Sequence, residues 1–238
     1  MATINLLYKD RYPINDRISI VIPTVGEILE DEDGYYGLVS ILTAMPIDMM
    51  VQLDDLGVDF TEINEYELFL LYFKALASMD TSLVFGDLDL SRFSPAVSEE
   101  NGTIVLLDTE NDIVIDRNIH AMIADALREI HHMKKDVRKP YNKEAKDYLI
   151  ERARKKQKRK RKQKQRSQLE SLIVALVNAG EFKYDYASVR TLSIYQFNES
   201  VQQIVQKVNY DNTMRGVYAG TVDPKKLSQD DLTWLKHK

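Results

Sequence analysis

The residues with the clearest chemical potential in this chain are cations. Arg154, Lys155, Lys156, Lys158, Arg159, Lys160, Arg161, Lys162 and Lys164 fall within one stretch that runs from Arg152 to Arg166. On a helix they set positive charge all round the circumference, which raises self-repulsion and calls for an anionic partner. Phosphates would serve, giving a non-specific, salt-sensitive affinity for DNA or RNA through counterion release. A carboxylate-rich protein surface would serve equally well. The run has no interleaved aromatic residue for base stacking and no Asn or Arg placed by an obvious reading-head fold, so an acidic protein surface is favoured over nucleic acid.

The other candidate groups are weaker. His120, His131, His132 and His237 are the only histidines. Glu129 and His132 stand three apart, the local spacing of a carboxylate–histidine metal pair, but a di-iron bundle needs a second such pair and two more carboxylates. The acidic clusters 30–33, 54–59 and 87–89 do not follow the order of a calcium loop, so they read as solvated faces. The sequence contains no phosphate-cradling glycine loop, dinucleotide fingerprint or serine elbow. With no cysteine, it offers no thiolate ligand, disulfide or cysteine nucleophile, and a reducing compartment is expected. The expectation is a non-enzymatic protein without metal or cofactor.

Charge is partitioned along the 238 residues. Residues 1–133 hold 7 Lys/Arg against 25 Asp/Glu, residues 134–166 hold 17 against 4, and residues 167–238 hold 8 against 8. The net values are −18, +13 and 0, so acidic and basic parts can attract each other, a second copy or an outside partner. At 44% apolar residues the chain can bury a sizeable core. No window approaches the roughly 20 apolar residues of a membrane span, and the N-terminus lacks the pattern of a secretion signal.

Elements must position these charges. Ile4–Tyr8 and Ile18–Ile22, closed by Pro13 and Pro23, suit two short strands. The apolar segment 35–50 divides at Pro46 into two helices. Asn64 caps a buried helix to Ser78, the segments 103–107 and 113–115 form a hairpin, and Asp116 caps an amphipathic helix. From Lys143 to Val177 there is no Gly or Pro, and Glu, Ala, Lys, Arg, Gln and Leu dominate, which predicts one continuous helix capped by Asn142 and about 50 Å long. Its apolar residues sit at the two ends and its basic middle bridges solvent. Ser193 and Gln196 form a capping box for a further helix, and Asp223-Pro224 starts a short terminal one. The expected fold is α+β and mainly helical. It comprises an acidic α+β domain over 1–140, a long helix with a basic central span over 141–180, and a small helical unit over 181–238.

The segments Phe182-Lys183-Tyr184-Asp185-Tyr186, Leu192 to Phe197, Gly216-Val217-Tyr218-Ala219-Gly220 and Leu232-Thr233-Trp234 resemble the C-terminal part of tail assembly chaperones and minor tail-associated structural proteins of long-tailed bacteriophages. Val21 to Ile28 and Tyr35-Tyr36-Gly37-Leu38 are similar in character. The resemblance implies an assembly or structural protein that acts by protein contacts in the host cytoplasm or in the virion, with a helical tape-measure protein as partner. The long basic helix departs from that family. It keeps nucleic acid, and a second copy joined through acidic and basic surfaces, as further expected partners.

Overall fold

The computed structural model describes residues 5–99, 102–162 and 167–235. Its mainly helical α+β character agrees with the sequence. The first apolar segment is a 3₁₀ turn at Leu6–Tyr8, where a strand is expected, because the Asn5 side chain accepts the Leu7 N–H and closes the turn. The hairpin forms instead from β1 (Arg11–Pro13) and β2 (Ser19–Val21), antiparallel with Tyr12 opposite Ile20.

Five helices follow, the first two capped by a hydroxyl and a carboxylate. Thr24 and Glu27 form a reciprocal capping box for α1 (Val25–Ile28), and the Asp31 side chain caps α2 (Glu32–Leu42) through the Gly34 N–H. A Cβ on Gly34 would fall 2.0 Å from the Asp31 carboxylate, so glycine is what permits this close cap. Pro46 separates α2 from α3 (Met50–Asp55) as expected. Asn64 and Glu67 then box the start of α4 (Glu65–Leu76), and α5 (Ser82–Phe85) is one short turn.

The second sheet has three antiparallel strands, β3 (Ser94–Val97), β4 (Ile104–Asp108) and β5 (Ile113–Ile115). The sequence showed β4 and β5; β3 was hidden by Pro95, which an edge strand tolerates. Asp116 caps α6 (Arg117–Ile130) by accepting the Ile119 N–H.

The predicted single helix over 143–177 is two helices, α7 (Lys143–Lys162) and α8 (Gln168–Val177). Ser167 leaves the helical backbone at φ −52°, ψ 123°, and its hydroxyl accepts the Glu170 N–H. The Glu32 carboxylate takes the hydroxyl of Ser167 and, at 3.1 Å each, the N–H groups of Gln168 and Leu169. A carboxylate at that helix start satisfies orphan donors and complements the macrodipole, so tertiary capping overrides the helical propensity of the run.

Last comes α9 (Ile194–Tyr218), started by the expected Ser193–Gln196 box. The two apolar parts suggested by the sequence share one core. Leu38, Phe69, Leu106 and Leu127 belong to the same buried cluster as Leu169, Ile173, Ile194 and Phe197. Backbone bonds Val25 N–H to Leu192 O and Ile194 N–H to Pro23 O stitch them together. A second, smaller cluster gathers Ala44, Ile47, Leu53, Phe60 and Leu68 around Ile150 of α7.

Candidate anionic-partner surface on the basic helix

Asn142 starts α7 by accepting the Ala145 N–H at 2.8 Å. The segment before it is tied down by Lys135, which bonds Glu65 alongside the buried Arg128. Burial pushes the Glu65 carboxyl up, yet the bonds from Lys135 and Arg128 leave it below its ordinary value.

One face of α7 is already used. Lys146, Ile150 and Arg154 recur every four residues and so form a single row. Ile150 is 8% exposed in the smaller core cluster. Lys146 Nζ lies 2.7 Å from Asp59 Oδ2, and this bond, with the N–H and hydroxyl of Thr61, holds the Asp59 carboxyl down to about 2. Arg154 reaches both Asp54 and Asp55 at 2.6 Å. Those two carboxylates crowd the C-terminal end of α3, where the helix dipole disfavours negative charge, and Arg154 offsets it.

The opposite face is open. Tyr148, Arg152, Lys155 and Arg159, at spacings of four, three and four, make a row about 16 Å long on the solvent side. Tyr148 is 64% exposed. Lys156 and Lys158 flank the row, and both are exposed. Lys155 meets Glu151 of its own helix at 3.2 Å, with both side chains in solvent. Among the described residues, no acidic group pairs with Arg152, Lys156, Lys158 or Arg159.

The structure therefore divides the predicted site. Lys155, Lys156, Lys158 and Arg159 share the outward side, while Arg154 is turned inward and spoken for. Lys160, Arg161 and Lys162 continue the helical backbone, and Lys164 lies outside the described residues. The sequence opens the basic segment at Arg152 but leaves Arg152 and Tyr148 out of the candidate site; the signal for them was the 148, 152, 155, 159 spacing, which also supplies the aromatic that the basic run itself lacks.

The histidines have other duties. His120 is 2% exposed and stacks on Phe69 at 4.3 Å between ring centroids, and burial pushes its pKa down to about 4. His131 meets the Tyr35 hydroxyl at 2.9 Å and is likewise held down to about 4 by burial. Glu129 and His132 part company: Glu129 accepts from the Tyr12 hydroxyl, and His132 faces Glu199 at 3.4 Å. No group of three or more His, Asp or Glu among the described residues is placed to hold a metal.

Residues 158–238 match the YomV second domain. Over its last third the chain is thus similar to a phage-type domain. The match begins on the outer side of α7 at Lys158 and takes in α8 and α9. No curated protein and no solved structure matches the chain. None of the described helices is long and apolar enough to cross a membrane.

Proposed function

We propose that the protein is a phage tail assembly or structural protein without catalytic activity, working in the host cytoplasm through protein contacts, and that the outer face of α7 is its contact surface. The observation behind this reading is the difference between the two faces of one helix. Carboxylates of the same fold neutralise the inner row, whereas Arg152, Lys156, Lys158 and Arg159 stand in solvent without a counter-charge among the described residues. The inner face also supplies a working example: Arg154 and Lys146 bind acidic protein surface at the end of a helix and in a loop. A tape-measure protein with an acidic helical stretch offers the outer row the same chemistry.

The test uses the full chain and the purified tape-measure protein of the same phage. Replacing Arg152, Lys156, Lys158 and Arg159 by Gln should weaken the complex at least tenfold while leaving thermal unfolding unchanged. Equal binding by the native chain and this variant would remove α7 from the function.

Tyr148 favours a second reading, in which the row binds nucleic acid and the ring stacks on a base. Titration of the full chain with a 30-base single strand and with duplex DNA over a salt series separates the two. Four phosphate contacts on duplex predict a log–log salt slope near −3.6, with about −0.9 per contact. Such a slope, lost in the Gln variant, together with no binding to the tail protein, would install the second reading in place of the first.

A further inference from the structure

Past Phe197 the character of the chain changes. None of the described residues from 198 to 235 is buried, although α9 continues for 21 residues beyond Phe197, about 30 Å of helix. Val201 and Ile204 still lean on the core, and the Asn198 side-chain amide donates to Ile130 O at 3.4 Å, but further along what covers α9 is the chain's own tail. At Gly220, with φ +71°, the backbone turns, and the N–H groups of Thr221 and Val222 bond Gly216 O at 2.9 and 3.1 Å. A Cβ on Gly216 would fall 2.7 Å from Val222 Cγ2, so glycine lets the tail lie close against the helix. The tail then runs back along α9, and at its far end the Gln206 and Gln203 side-chain amides donate to Thr233 O at 3.3 Å and Trp234 O at 2.9 Å.

This seat holds backbone and is only half filled. Leu232, Trp234 and Leu235 each remain 45% exposed. A cleft of about 430 Å³ lies beside the tail, lined by Gln202, Val205, Asn209 and Tyr210 of α9 together with Thr233 of the tail and Lys134 of the body. Charge singles out the same region: residues 198–235 hold four Lys/Arg and five Asp/Glu, so two copies can approach there without the like-charge repulsion that the −18 and +13 blocks impose.

We infer that the tail over 221–235 is an exchangeable strap whose other seat is α9 of a second copy, so that two chains pair by swapping tails. The complementarity needed is already present within one chain, which makes exchange a low-cost route to a dimer. Straightening the turn at Gly220 sends the tail outward. The glutamine amides then grip the partner's tail as they grip their own.

The chain has no cysteine and Trp234 is its only tryptophan, so both labels are clean. Full-length Gln206→Cys and Thr233→Cys chains, mixed and treated with a short bis-maleimide, should give a cross-linked heterodimer that rises with concentration. The double variant in a single chain, at low concentration, should cross-link internally and so verify the closed seat. In parallel, the light-scattering mass of the native chain should move from monomer to dimer, with Trp234 emission reporting undisturbed docking. Internal cross-links alone, with a monomeric mass up to about 1 mM, would overturn the inference. So would a native dimer that gives no 206–233 link between chains, since that dimer uses another surface.

Discussion

The body over residues 5–197 and the arm over 198–235 are stabilised by different physics. The body closes one apolar cluster drawn from both sides of the basic helix, with Phe197 among its fully buried side chains. The arm has an apolar stripe of similar spacing but no buried residue among those described: Val201 and Ile204 pack against the core from its edge, and beyond them the arm is held by backbone-directed amides and a glycine turn. The difference teaches where stability resides: α9 begins inside the core and then leaves it, so one helix carries both regimes. Stability should therefore respond to changes in its first turn, less at Val201 and Ile204, and hardly at all further along.

The strongest test of that comparison is Phe197→Ala set against Val205→Ala. Phe197 is 0% exposed, and its truncation opens a cavity in the shared core, so about 3–5 kcal/mol of unfolding free energy should be lost in denaturant titration. Val205 is 53% exposed, and its truncation should cost under about 1 kcal/mol. Similar costs for the two would show that the arm is packed as tightly as the body.

Acid sharpens the contrast next. His120 and His131 sit in the body, and burial holds both near a pKa of about 4, against 6.5 for the free side chain. Above pH 6.5 both are neutral in the folded and unfolded chains, so the full stability is present. As pH falls from 6.5 to 4 the unfolded chain takes up protons that the folded body refuses, and stability drops by roughly 3 kcal/mol for each histidine. Denaturation midpoints measured across that window should show the fall, and His120→Phe should remove about half of it. A flat profile would mean that both rings protonate in place. Trp234 emission from the arm should stay level until the body itself unfolds.

Much of this was legible before the structure, and the reasons are local. Asn64, Asp116 and Ser193 announced their helices because a cap and the apolar spacing behind it lie within one or two turns. The break at Ser167 was illegible because the carboxylate that stabilises it comes from Glu32, distant in sequence. β3 was hidden by its proline, and the Arg11–Pro13 strand by a more apolar neighbour that became a 3₁₀ turn. At the candidate site, composition located the charge but could not divide it. That division depends on Ile150, which docks in the smaller cluster and thereby turns Arg154 inward and Tyr148 outward.

Ile150 and Arg154 therefore supply the smaller, finer test, on the one part of the basic helix that behaves like the body. Ile150→Ala should cost about 2 kcal/mol, the low end for a buried aliphatic side chain, because the neighbouring cluster is small. Arg154 and its partners Asp54 and Asp55 are more than a third exposed, so solvent screens the pair, and Arg154→Ala should cost well under 1 kcal/mol. Salt tells the two apart: raising it to 1 M should leave the Ile150→Ala cost unchanged and erase the Arg154→Ala cost, since the Debye length shrinks to about 3 Å. If Arg154→Ala instead costs as much as Ile150→Ala and resists salt, charge rather than packing sets the orientation of α7. The outer row would then be positioned by the acidic end of α3, and changes at Asp54 and Asp55 should weaken partner binding without touching the contact surface.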